Sequence, residues 1–154
     1  MTEFRLSTAE VGTALPELPE QYITRTLLAL FAGASGDHNP IHIDSDAARA
    51  AGLEDVIAHG MLSMALLGRL LTAWVPVGDL LSFRVRFSAP TPVHARLRCT
   101  GVVKAVEEAA GESGGPHGAG RRARIGVTVR IVDGPLTVRG DALVRLPELH
   151  GVPS

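Results

Sequence analysis

Gly60-Met61-Leu62-Ser63-Met64-Ala65-Leu66-Leu67-Gly68-Arg69-Leu70-Leu71-Thr72-Ala73-Trp74-Val75 decides how the rest of the chain has to be arranged. At about 100° per residue, Gly68, Arg69 and Thr72 share roughly one third of a helical circumference, and nearly all the rest is apolar. A helix of that kind over 60–75 must be enclosed, and a curved sheet is the natural enclosure. Ser63 lies opposite the polar stripe, near the helix start. The 23 residues 56–78 carry Arg69 as their only fixed charge, enough on length alone to span a bilayer. Arg69 near the middle, His59-Gly60 at the start, Pro76 and Gly78 at the end, and no flanking Lys/Arg clusters point instead to a helix buried in a soluble fold.

After Gly78 the period changes to two. Residues 82–87 alternate Phe83, Val85 and Phe87 against Arg84 and Arg86, and 93–106 alternate again. Residues 124–132 and 136–146 flank Asp133-Gly134, a hairpin-type turn that Pro135 can distort. Between the strands, the glycine-rich 107–121 reads as a flexible loop, and 147–154 as a frayed tail. Upstream, 21–23 is a short extended piece and Thr24 caps a helix over 25–32. Residues 33–40 read as loop, after which Asp44 caps a short helix over 45–51 that Gly52 stops. Helices followed by an antiparallel meander predict a single α+β domain over 1–154, with its core in about 5–146.

The composition narrows the function. The chain has 154 residues with a formal net charge of -1, fifteen basic and sixteen acidic groups, and 4% aromatics. That leaves neither the basic excess of a nucleic-acid binder nor a base-stacking platform. Cys99 is the only cysteine, so an internal disulfide and multi-cysteine metal sites are excluded. All basic residues but Lys104 are arginine, scattered from Arg5 to Arg145, which biased codon usage explains as well as anion binding does. No basic-then-apolar export signal opens the chain, so a cytoplasmic location is expected.

Side chains suited to chemistry crowd into Asp37-His38-Asn39-Pro40-Ile41-His42-Ile43-Asp44 and Ala58-His59-Gly60. His38 and His42 have the i, i+4 spacing of a helical metal site, but Pro40 between them removes the helix, so no metal is expected. Gly33-Ala34-Ser35-Gly36-Asp37 lacks the closing glycine and the strand-to-helix context of a nucleophile elbow. A phosphate cradle at Gly33 and Gly36 lacks both a feeding strand and a following Gly-Lys-Ser/Thr. Acid–base work by Asp37 and His42 fits best, because a proline-stiffened loop can aim both into one pocket. Gly60 opens the buried helix, where unpaired amides and a partial positive charge suit a developing oxyanion. Asn39, Ser63 and His59 are candidates for positioning the substrate or a water.

Phe31 through Asp37, Asn39-Pro40-Ile41-His42 and Ala48 together resemble the hydratase motif of MaoC-like (R)-specific enoyl-CoA hydratases. Ile57-Ala58-His59-Gly60-Met61 is similar to a second block at the start of that family's central helix, and Arg86-Phe87-Ser88-Ala89-Pro90 to a third. Ala34 departs from the usual larger aliphatic residue or glycine, and Thr91-Pro92-Val93-His94 replaces a customary Gly-Asp turn. Single-domain dehydratase subunits of type II fatty-acid synthases look most alike. The resemblance implies a hot-dog fold, a long central helix wrapped by a curved antiparallel sheet, in a homodimer or a heterodimer with a related hot-dog subunit.

It further implies reversible syn hydration of trans-2-enoyl thioesters, on CoA or acyl carrier protein, to (3R)-3-hydroxyacyl thioesters without a cofactor. Asp37 and His42 would hold one water and share its two proton transfers, Gly60 N–H would steady the thioester oxygen, and the apolar helix face would line an acyl tunnel. A hot-dog thioesterase would need a helix-borne carboxylate, which 60–75 lacks, and a non-catalytic partner subunit would be expected to have lost Asp37 or His42.

Overall fold

The computed structural model describes residues 8–109 and 120–147. The predicted loop at 107–121 lies largely outside these residues, as does nearly all of the tail at 147–154. Strand β1 (Gln21–Tyr22) leads into helix α1 (Arg25–Ser35), where Thr24 accepts from the Leu27 N–H as predicted. The helix runs three residues beyond the expected 25–32. Gly33 lies on open surface and costs only propensity, and termination waits for Gly36, which takes the left-handed conformation (φ 73°) and donates its N–H to Ala32.

Asn39 then caps a single 3-10 turn, Pro40–His42, with proline in its first position. Helix α2 (Ser45–Ala50) follows, its Asp44 carboxylate accepting from Asp46 and Ala47 N–H. Helix α3 (Gly60–Thr72) ends three residues before the expected Val75. Strands β2 (Leu80–Phe87), β3 (Arg96–Ala109), β4 (Gly120–Ile131) and β5 (Leu136–Arg145) complete the order. Residues 93–95, expected as strand, are instead a connection in which His94 holds φ 68°.

The five strands form one antiparallel sheet in the order β1-β3-β4-β5-β2, bent by register shifts that leave an extra residue in β2, β3 and β5. Its inner residues, among them Leu97, Val103, Ile125, Val129, Val138 and Val144, pack against α3 through Leu62, Leu66, Leu67, Leu70 and Leu71. Each fully buried leucine contributes about 1.5–3 kcal/mol, which explains why so apolar a helix stays in place. Enclosure is incomplete, however. Met61 is 56% exposed and Ala65 is also open, so one apolar side of the helix start faces out of this chain. No helix among the described residues is long and apolar enough to cross a membrane.

Candidate active site

The loop between α1 and α2 aims the predicted pair. Past the Gly36 bend, the Asp37 N–H donates to Ser35 Oγ (3.3 Å) and Asp37 Oδ1 accepts from the Asn39 N–H (3.3 Å). Asn39 Oδ1 accepts from the Ile41 N–H, so this side chain caps the turn that carries His42. His42 Nδ1–H donates to the Ile57 carbonyl at 2.8 Å; a carbonyl only accepts, so the proton sits on Nδ1. Nε2 is thereby left as the acceptor, 4.0 Å from Asp37 Oδ2. His42 is buried and Asp37 half-exposed, so the pair straddles the protein surface.

Below it opens a cavity of about 370 Å³, walled by His42, Gly60 and Ser63 on one side and Phe87, Thr91 and Val138 on the other. Ser63, a candidate positioning residue in the sequence, is buried and borders the cavity. The Gly60 and Met61 amides at the start of α3 have no acceptor among the described residues, while the Leu62 N–H is taken by the His59 carbonyl. A side chain at Gly60 would meet the Phe87 ring at 3.2 Å, so glycine lets that ring close over the helix start.

Two expectations need correction. The apolar face of α3 does not line a tunnel: among the described residues only Gly60 and Ser63 of this helix border the cavity, because Leu66, Leu67, Leu70 and Leu71 are packed into the core. Nor does His59 face the cavity. It is buried, stacked on His42 with centroids 3.9 Å apart and planes 29° apart, and edge-on to Phe31. The sequence reading also missed the 91–93 connection. The Ala58 N–H donates to the Thr91 carbonyl (2.8 Å) and the Val93 N–H to the Val56 carbonyl (3.1 Å), pinning the approach to α3. The departure Thr91-Pro92-Val93-His94 therefore sits directly beside the site.

Donor atoms of Asp37, His42 and His59 lie within 4.8 Å of one another, a cluster able in principle to hold a metal ion. Two nitrogens on one tetrahedral ion must converge to about 3.3 Å with their in-plane lone pairs aimed at it. Near-parallel stacked rings aim theirs side by side, and with His59 Nε2 committed to the Asp37 carbonyl at 3.0 Å only the buried Nδ1 of that ring is left to ligate. The donor geometry suits proton transfer better than coordination.

A helix seated on a curled five-stranded antiparallel sheet defines a hot-dog domain, and the similarities to known proteins agree. The chain belongs to the MaoC like domain family, whose model matches residues 7–116. It is 41% identical over 92 residues to 3-hydroxyacyl-thioester dehydratase Z of Mycobacterium tuberculosis, covering 56% of this chain and 61% of that protein. Over 87 residues it is 33% identical to the (R)-specific enoyl-CoA hydratase of Rhodospirillum rubrum, covering 53% of this chain and 60% of that one. Both matches span less than two thirds of the relative's length. In three dimensions it resembles the unliganded R-hydratase PhaJ1 of Pseudomonas aeruginosa, with TM-score 0.75, 29% identity, and coverage of 97% of this chain and 94% of that one.

Proposed function

We propose that this chain is a hydro-lyase that reversibly adds water to trans-2-enoyl thioesters, carried by CoA or acyl carrier protein, giving (3R)-3-hydroxyacyl thioesters. The observation that carries the reading is the 4.0 Å separation of His42 Nε2 from Asp37 Oδ2, with His42 lining the cavity and the half-exposed Asp37 outside its lining. Two hydrogen bonds of about 2.8 Å to one oxygen span about 4.0–4.6 Å, so a single water fits between these atoms.

That water supplies both groups added to the double bond. Its oxygen forms the bond to C3 as one O–H breaks. A proton returns through the same pair to C2, and delivery from one side makes the addition syn. The carboxylate and the Nε2 lone pair share these transfers as one coupled unit. As the C2 proton arrives or leaves, negative charge gathers on the thioester oxygen. The Gly60 amide, at the positive end of α3, is placed to receive that charge; one such donor is worth about 10²–10³ in rate.

The reading extends to assembly. Strand β2 pairs only with β5 among the described residues, and Phe87 and Met61 stand exposed nearby, so the chain works as a dimer with a copy of itself or a related hot-dog subunit. The test is hydration of butenoyl-CoA and longer enoyl thioesters, on CoA and on carrier protein, followed by loss of enoyl absorbance and chiral analysis of product. A (3R) product is expected. No turnover of any of these, beside an active control hydratase, would overturn the reading; light scattering tests the dimer.

A further inference from the structure

We infer that His59 is a positioning residue of the acid–base pair: without touching substrate, it anchors the Asp37 main chain through Nε2–H and holds the His42 imidazole against its ring face. This rests on the hydratase reading above. At the N-cap of a helix, Ser, Thr, Asp and Asn turn a side-chain oxygen onto the first-turn amides. His59 occupies that place before α3 and makes no such bond. Its ring reaches instead across 22 residues of sequence to the Asp37 carbonyl, 3.0 Å away. Because that carbonyl can only accept, Nε2 carries the proton and Nδ1 is bare, and Nδ1 is a buried atom with no partner among the described residues. A missing cap and an unpartnered buried nitrogen are both unfavourable for stability, so this histidine is badly explained as a packing residue.

Its geometry suits the pair. The other hydrogen bonds of Asp37 go to Ser35 and Asn39, neighbours on the same exposed bend, so the His59 bond is its connection to the core. The ring sits between Phe31 on α1 and His42 on the 3-10 turn, 5.1 Å and 3.9 Å from them by centroid. One residue therefore fixes both partners of the 4.0 Å separation, one by a hydrogen bond to the backbone and the other by stacking. Leaving its own helix uncapped also keeps the Gly60 amide, at the cavity wall, without a side-chain partner.

Two substitutions separate this role from packing. His59→Phe keeps a ring and loses the donor; His59→Gln loses the ring but keeps a terminal N–H at similar reach. Expected for His59→Phe is a kcat lowered about 10- to 10²-fold with KM within about twofold, since misplacement by an ångström acts on the reacting geometry. His59→Gln keeps the anchor but loses the stacked ring, so its kcat should fall by a smaller amount, about three- to tenfold. His59→Leu repeats the donor-loss arm if phenylalanine proves too large to fold. Backbone order parameters at Asp37 and His38 supply a readout independent of activity. They should fall from about 0.85 to below about 0.6 in the donor-loss variants and hold in His59→Gln. Unchanged order parameters in folded His59→Phe, or equal impairment by Gln and Phe, would overturn the inference. Wild-type protein inert toward every enoyl thioester would instead sink the hydratase reading, and the order parameters would still decide the anchoring.

Discussion

Asp37→Asn removes a charge and almost nothing else. The substitution keeps side-chain volume, and an Asn Oδ1 can still accept from the Asn39 N–H as Asp37 does at 3.3 Å. The carbonyl taken by His59 belongs to the backbone and is untouched. The side chain is half-exposed, so no buried group is left unpaired, and stability should stay within about 0.5 kcal/mol of wild type. Lost is a carboxylate oxygen 4.0 Å from His42 Nε2, and with it one of the two groups able to hold and deprotonate the attacking water. General acid–base contributions of about 10²–10⁴ correspond to about 2.7–5.4 kcal/mol of barrier. The assay is steady-state hydration of an enoyl thioester that wild type turns over well, with thermal melts on the same preparations. Expected is a kcat reduced at least about 10²-fold, with KM and melting temperature close to wild type. An Asp37→Asn protein that retains more than about a tenth of wild-type kcat would remove the carboxylate from the mechanism.

Three further outcomes follow from the same geometry. His42→Asn can keep a donor to the Ile57 carbonyl while removing Nε2, so turnover should fall by about 10² or more with the fold retained, checked by activity and circular dichroism. Gly60→Ala would set a methyl 3.2 Å from the Phe87 ring but keeps the backbone N–H; that ring is half-exposed and can yield, so melting temperature should barely change and kcat should stay within about tenfold of wild type, checked by melts and turnover. Burial pushes the Cys99 thiol up to about 11, against a nearby Arg69 that acts the other way. The folded state thus prefers the protonated thiol, so this contribution is intact below about pH 9 and fades as pH rises toward about 11. Two units correspond to about 2.7 kcal/mol, and denaturant melts at high pH should show Cys99→Ala losing less stability than wild type over that window.

Periodicity carried much of the fold, because burial on one face leaves a numerical trace in the chain. The helix at Gly60 and the alternation in 82–87 are of that kind, and both are found close to their expected bounds. The extension of α1 through Gly33-Ala34-Ser35 left no such trace, since exposed small residues read alike in a loop or a last helical turn. At the site, Asp37, His42 and Gly60 were visible as residue types. The Thr91 connection was not, because it acts through its carbonyl, and any side chain offers that group. His59 was assigned to substrate for a related reason, as its partner is also a backbone oxygen. Cavity depth was equally hidden: an apolar helix face has the same pattern whether it lines a channel or fills a core.

The two margins of the sheet are unequal. Along β3, residues 12–15 bond to Gly101 and Val103, and β1 covers Arg96 and Leu97, so part of that margin is already taken. Along β2 the outer row of amides and carbonyls is open among the described residues. A molecule with one fully open rim and one partly covered rim favours pairing open rim to open rim about a twofold axis. In the proposed dimer the open β2 margin is the one consumed, so a long exposed strand that would otherwise seed fibres is covered.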